Sequence, residues 1–366
     1  MGKIELDHTG SGGGITLSSD GTDLLLDGTA IGGGGGADLY AANDVSATAP
    51  SATGDNSVAI GDSSTAAGLR STAIGYSHAS GTMSFAAAIG NSSQYRGAQA
   101  QYAIAIGNNA YVQANDAAAY GYYATIGTSG TRAVSLGHSY ANGNDSFSAV
   151  IDNNTSSYGA TGANSVAMGY QAKATNSYAF AVGQNNVASG FGTVAIGRNS
   201  TASRNYSITL GTQAISSIDS KMAFSGGRFS TDGDAQTGTF VLRSDTTDAT
   251  AEALTTSNGT ASTTNQIILP NNSAYAFHGT IVARESATDG TDCAAWKIEG
   301  LIRREGSAGT TTLVNSATTV LDNTPSWGMA LSADTTNGGL KVEVTGAAAT
   351  NIRWVATIHT SEVTYA

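Results

Sequence analysis

A chain of 366 residues with 12% charged side chains, 47 glycines and three prolines has the composition neither of an ordinary soluble enzyme nor of a Pro-rich disordered linker. The net charge of −11, with 16 basic residues scattered along the whole length, excludes the Lys/Arg stripe that tracks a phosphate backbone, so no nucleic-acid partner is expected. One cysteine, Cys293, excludes an intrachain disulfide framework and a Cys-rich metal site.

The chain begins "MGKIELDHTG", with Glu5 and Asp7 where an export signal would carry a basic start and an apolar run. Neither an export signal nor a membrane span is expected. Residues 1–50 read as short strands around turns that end in the run Gly32 to Gly36. Five consecutive glycines suit a hinge behind a segment that docks to a larger particle. A phosphate-binding loop would need a following Gly-Lys-Ser/Thr, which is absent.

Residues 51–230 repeat. Aligned on the residue that closes each "AIG"-like triplet, the units end at Gly61, Gly75, Gly90, Gly107, Gly121, Gly137, Asp152, Gly169, Gly183, Gly197, Gly211 and Ser225. The spacing runs from 14 to 17 residues. A beat this regular marks a stack of similar coils. Two short strands and two tight corners fill each unit, which leaves no room for a helix. The recurring glycine then has a corner to turn, where φ > 0 and close backbone approach are needed, and Asp152 is a tolerable substitute.

The residues one and three places before the key position, Ile60 and Val58 through Phe224 and Met222, are almost all apolar and predict the buried face. Between them lie nine alanines in twelve units, such as Ala59, Ala73 and Ala195. This small-residue face is expected to meet another close-packed surface, through self-association of the chain. Residues 51–230 hold six Asp and no Glu, so close packing of several copies meets little like-charge repulsion.

From Thr231 the beat stops and longer alternating strands appear. Leu340, Val342 and Val344 share one face, as do Ile352, Trp354, Ala356 and Ile358, while Lys341, Glu343, Arg353 and His359 fall on the other. Eight or more such strands between Gly/Asn/Asp turns predict an antiparallel β-sandwich of jelly-roll type over residues 231–366, with Trp296, Trp327 and Trp354 in its core.

The motifs "NSVAIG" (Asn56 to Gly61), "NSVAMG" (Asn164 to Gly169) and "GTVAIG" (Gly192 to Gly197) resemble the head repeats of trimeric autotransporter adhesins of the YadA type. That resemblance implies a left-handed parallel β-roll in which three chains pack side by side. The stretches "CAAWKIEGLIRREGSAGTTTLVN" and "NIRWVATIHTSEVTYA" are similar to a C-terminal domain of bacteriophage tail fibres. Such fibres imply an N-terminus on the virion and a C-terminus toward the host.

No residue pattern points to catalysis. Asp55, Asp62, Asp116, Asp145, Asp152 and Asp219 are placed in turns, as Asp commonly is, rather than as the carboxylate pair of a glycosidase. "STDGDA" (Ser230 to Ala235) and "TDGTDC" (Thr288 to Cys293) match no calcium loop, and His8, His78, His138, His278 and His359 show no ligand spacing. Cys293 is expected to be a small buried thiol. No cofactor and no metal are expected. Long coils place aromatic and cationic groups at corners, and Tyr95, Arg96, Tyr122, Tyr123 and Tyr158 are the receptor-contact candidates, together with the loops between 285 and 340.

The expectation is an all-β, homotrimeric, noncatalytic fibre of a phage tail, with about twelve coils over 51–230 and a C-terminal knob. Its partners would be a virion tail or neck protein at the N-terminus and a host-surface glycan or outer-membrane protein. A head or neck fibre, a bacterial surface adhesin fragment and a polysaccharide-degrading tailspike are the alternatives.

Overall fold

The computed structural model describes residues 48–90, 96–152 and 157–365 in full, and five earlier strands by their backbone alone. Of the features singled out above, His8, Gly32 to Gly35 and Tyr95 lie outside the described residues. The chain divides into two compact units, Met1–Asp145 and Ser146–Ala366. No α-helix occurs among the described residues.

In the first unit, Ile4–Leu6, Ile15–Ser19, Leu24–Leu26 and Thr29–Ala30 form an antiparallel meander. Gly36–Leu39 then pairs in parallel with Ser57–Ile60, so coil-type pairing begins before residue 50. The strands Ser57–Ile60, Thr72–Ile74, Phe85–Ala87, Ile104–Ile106, Ala118–Tyr120 and Val134–Leu136 follow as a parallel ladder. Two-residue strands opposite them, from Ser51–Ala52 to Tyr140–Ala141, form a second parallel ladder.

The second unit repeats the plan. Phe147–Ala149, Val166–Met168, Phe180–Gln184, Val194–Arg198, Ile208–Thr212 and Met222–Gly226 pair in parallel and in register. Gly159–Ala160, Lys173–Ala174, Val187–Ala188, Thr201–Ala202 and Ile215–Ser216 face them. The two units together carry a β-solenoid of about twelve turns, each closing one repeat.

In most coils the faces are the reverse of the sequence expectation, while Ile89 and Ile151 are buried as expected. Ala59, Ala73, Ala105, Ala119, Ala167, Ala181 and Ala195 are fully buried inside their coils, and so are Ala66, Ala79, Ala174 and Ala188 from the two-residue strands opposite. Ala195 is 0% exposed, whereas its neighbour Ile196 is 38% exposed. Strands this short, joined by corners this tight, stand so close that mostly methyl and hydroxymethyl groups fill the space between them. In most coils alternation then turns the large apolar side chains of the longer strands outward, whereas Ile89, Val112, Ile126 and Ile151 stay fully buried. Ile74, Tyr120 and Leu136 are exposed in the first unit, and Met168, Phe180, Ile196, Met222 and Phe224 in the second.

Many corner polar groups are satisfied from within, although the buried hydroxyls of Ser57, Ser71 and Ser84 have no hydrogen-bond partner among the described residues. Ser64 donates to the carbonyl of Ile60 at 2.7 Å and Ser165 to that of Gly162 at 2.6 Å. Asn186 stitches successive coils, donating through Nδ2 to the carbonyls of Val182 and Gly197 at 2.6 and 2.7 Å and accepting the Ser200 amide at 2.9 Å. The ten repeat glycines all have positive φ, from 59° at Gly75 to 126° at Gly197, and Asp152 has φ 56°. At Gly197 the demand is double, because a Cβ there would also overlap the carbonyl oxygen of Gly211 in the next coil. Ser225 ends the series, donating to the carbonyls of Gly227 and Ala235 at 2.6 and 2.8 Å.

Beyond the last coil lie nine strands, here β1 (Ala235–Thr246), β2 (Ala251–Ala253), β3 (Ile267–Ile268), β4 (Ser273–Glu285), β5 (Cys293–Arg304), β6 (Thr312–Asp322), β7 (Gly328–Asp334), β8 (Gly339–Thr345) and β9 (Ile352–Thr364). The larger antiparallel sheet runs β1-β9-β4-β5-β6 and is joined to the solenoid, because β1 pairs with Met222–Gly226. In the smaller sheet β8 pairs with β2, β3 and β7. Their shared core holds Phe240, Leu242, Ile281, Ile298, Val342, Val344, Ile352 and Ile358.

Trp354 lies at the centre of that core, stacked on Trp296 at 5.8 Å and edge-on to Trp327 at 5.7 Å, with its Nε1 donating to Thr246 at 2.9 Å. Cys293 is exposed, contrary to expectation. It opens β5 on the same side as Lys297 and Glu299, while Ala294, Trp296 and Ile298 turn inward.

Candidate functional site

The solenoid presents aromatic and cationic groups at its corners, where the chain bulges beyond the ladder. In the first unit, Arg96 leads into the strand Gly97–Ala98, which pairs with Tyr111–Val112. That places the guanidinium carbon 5.5 Å from the centre of the Tyr111 ring and 5.6 Å from that of Tyr123. Tyr123 meets Tyr122 edge-on at 4.5 Å, and His138 lies 6.0 Å from Tyr122 and 5.7 Å from Tyr123.

Tyr122 is 59% exposed, the outermost ring of this group. Tyr111 is set deeper and donates to Gln99 Oε1 at 3.1 Å. Burial raises its phenol above the ordinary tyrosine range, against the opposing charge of Arg96. The outcome is a patch with ring surfaces, a fixed cation and amide groups side by side, suited to stacking and hydrogen bonding with a polar, flat-faced ligand.

The structure therefore gathers three of the sequence candidates, Arg96, Tyr122 and Tyr123. Tyr158 belongs to a different neighbourhood in the second unit, where Lys173 lies 4.5 Å from its ring centre. Tyr111 and His138 were not among the receptor-contact candidates read from the sequence. His138 follows Gly137 as Tyr122 follows Gly121, so a column-by-column alignment of the repeat reveals it.

A second aromatic row was also not anticipated. Phe191 stands edge-on between Tyr178 and Tyr206, at 5.3 and 5.6 Å, on consecutive coils of the second unit. Tyr178 and Tyr206 each precede their repeat glycine by five residues and take left-handed backbone angles at that corner.

The acidic groups do not assemble into a reaction centre. Asp55, Asp62, Asp116, Asp145 and Asp219 occupy turns and Asp152 a bend. Asp145 is engaged by Arg132 in a two-pronged pair at 2.6 and 2.7 Å. In "STDGDA", Asp234 accepts the amides of Phe229, Ser230 and Thr231 at 2.9, 2.7 and 2.8 Å, which closes a turn. Among the described residues no group of three or more His, Cys, Asp or Glu is gathered to hold a metal.

The YadA head domain repeat matches residues 52–77, 98–124, 160–186 and 188–214, two stretches in each unit. The coils are YadA-like head repeats. The matched stretches contain the alanine-lined interior, the positive-φ glycines and the outward apolar strands that define the turns above. They also include Tyr111, Tyr122 and Tyr123 of the corner patch.

Among solved structures, the chain is similar to a tailspike protein, gp49 of Acinetobacter baumannii bacteriophage Fri1, a capsular polysaccharide depolymerase. The match has 8% identity and a TM-score of 0.21, and covers 87% of this chain and 49% of the tailspike. The chain thus spans about half the length of that protein. No curated protein matches the sequence.

Proposed function

We propose that this protein is a homotrimeric, noncatalytic attachment fibre, carried outside a phage particle as part of its tail and contacting the host surface. The observation that carries this reading is the outward apolar face of the YadA-like coils. Their interior is already filled by alanine, so Ile74, Tyr120 and Leu136 in one unit, and Met168, Phe180, Ile196 and Phe224 in the other, cannot be inside the coil. An outward apolar face of this kind in each unit calls for a partner surface, and copies of the same chain supply one. YadA-like repeats and the resemblance of the C-terminal segment to phage tail fibres support the same reading.

In this assignment the stretch before residue 50 docks to a tail or neck protein, the coils form the projecting part and residues 231–366 the knob. The patch of Arg96, Tyr122 and Tyr123, extended by Tyr111 and His138, is the surface that meets a host glycan or outer-membrane protein. Rings stack on sugar faces while Arg96 and Gln99 provide directional polar contacts.

The test is the mass of the purified protein by light scattering, with glycan binding measured on the same material. A mass of roughly 110 kDa, three chains, is the expected result. Tyr122→Ala with Arg96→Ala should then abolish retention on host-surface polysaccharide without changing that mass. A stable monomer overturns the fibre, and unchanged retention overturns the patch.

A further inference from the structure

The last strand of the large sheet is left uncovered in a way that no other long strand is. Ten of the eleven residues of β6 are exposed, including Val314, Val320 and Leu321, the last two at 57% and 59%. One edge of β6 pairs with β5, and among the described residues no strand pairs with the other.

The inner flank is also bare from Ser316 to Val320, although Leu313 packs against the core. Directly opposed residues of an antiparallel pair point to the same side of the sheet. Val320 is opposite Trp296 and Thr318 opposite Ile298. Trp296 and Ile298 are buried in the core, yet Val320 and Thr318 are exposed, so the smaller sheet covers β5 but stops short of β6.

Long free edges are normally blunted by charge or proline, because an unpaired row of N–H and C=O groups templates pairing with other chains. Thr312 to Leu321 contains no charged residue and no proline. We infer that the free edge and inner flank of β6 are covered by a neighbouring copy of this chain, a contact that rests on the trimeric reading above.

Two features identify that occupant. The sheet that ends in β6 begins, through β1, at Met222–Gly226, whose Phe224 belongs to the apolar face already assigned to contact between copies. In a chain of charge −11, an uncharged edge is also a place where two copies approach without repulsion.

Three-fold closure adds a constraint. A strand paired with its own equivalent makes a two-fold contact, so around a three-fold axis β6 meets a different element of the next copy. β7 is the fitting one. It pairs with β8 on one side, has no strand partner on the other among the described residues, and is uncharged from Gly328 to Ala333.

The test is hydrogen exchange by mass spectrometry on the full-length protein, with its mass checked by light scattering. In a single chain about half of the β6 amides are engaged with β5. In the trimer, pairing on the second edge should make nearly all the amides of peptides covering 312–321 slow, at least tenfold slower than those of the loop 286–291. Thr318→Lys with Val320→Lys, both exposed in the single chain, should leave the circular dichroism spectrum intact and raise the concentration at which trimers dissociate at least tenfold.

A trimer in which only half of these amides are slow, or whose dissociation is unmoved by the two lysines, overturns the β6 contact and leaves the fibre reading standing. A monomer overturns both.

Discussion

Lys221 and Glu362, 141 positions apart, form an ion pair at 2.6 Å with side chains only 4% and 1% exposed. Lys221 lies in the corner before the last coil and Glu362 in β9. Gln236 donates to the same carboxylate oxygen at 2.8 Å and Thr360 to the other at 2.7 Å. The coils are thereby tied to the knob inside one unit.

Removing either partner alone strands a buried charge. Lys221→Met or Glu362→Leu should each lower stability by about 3–5 kcal/mol, whereas the double substitution should recover most of that loss. Denaturant melts of the four proteins test this. Additive losses would mean that the two groups are not coupled.

The corrected coil faces separate two neighbouring substitutions. Ala195→Leu forces extra methylene groups into a filled interior and should cost about 1–3 kcal/mol in coil stability. Ile196→Asp places a charge on the outward face, so the coil should persist by circular dichroism while the proposed trimer is lost. If Ile196→Asp unfolds the coil and Ala195→Leu is silent, the faces have been assigned the wrong way round.

At Gly197 a side chain meets both a left-handed backbone and the Gly211 carbonyl. Gly197→Ala should destabilise by about 1–3 kcal/mol from the backbone alone, with the overlap adding to it. Gly75→Ala is the control, because nothing lies within 4 Å of the added methyl. Thermal melts in which Gly75→Ala loses as much as Gly197→Ala would remove the role of the neighbouring coil.

Asp234 sets a pH dependence. Burial pushes its carboxyl up, but the amides of Ser230, Thr231 and Phe229 outweigh that and hold it below the usual carboxylate range. A carboxyl whose folded-state pKa is depressed stabilises the fold above its unfolded pKa, about 4, and loses that contribution as pH falls through the folded value. The melting temperature of the wild type should therefore exceed that of Asp234→Asn at pH 6, with the gap closing toward pH 2. A gap that stays constant would show that the charged form of Asp234 contributes nothing.

The repeat and its corners were legible because glycine and alternating residues recur at a fixed interval. Alternation also separated the two sides of β8 and β9, where Val342 and Trp354 are buried as the pattern required. It identified two faces of each coil without saying which was inside. That choice depends on the distance between opposing strands, and assigning the larger residues to the interior inverted it.

The patch was half legible for a similar reason. Tyr122 and Tyr123 stand out as a pair, but the approach of Arg96 to Tyr111 and Tyr123 crosses from coil to coil and is fixed by ladder register. Cys293 was misplaced because a lone residue at a strand end carries too little periodicity to show which way it faces.

The alanine interior gives the coils a further property. In the second unit Ala167, Ala181 and Ala195 stack directly through register, so consecutive turns present nearly the same inner layer to one another. A whole turn can be gained or lost by recombination without a cavity or a clash on either side of the join. Reach then becomes a trait that evolves in increments of one turn, about 4.8 Å, while surface corners diversify independently. Length and surface are thereby adjusted separately, and both freedoms come from the same methyl group.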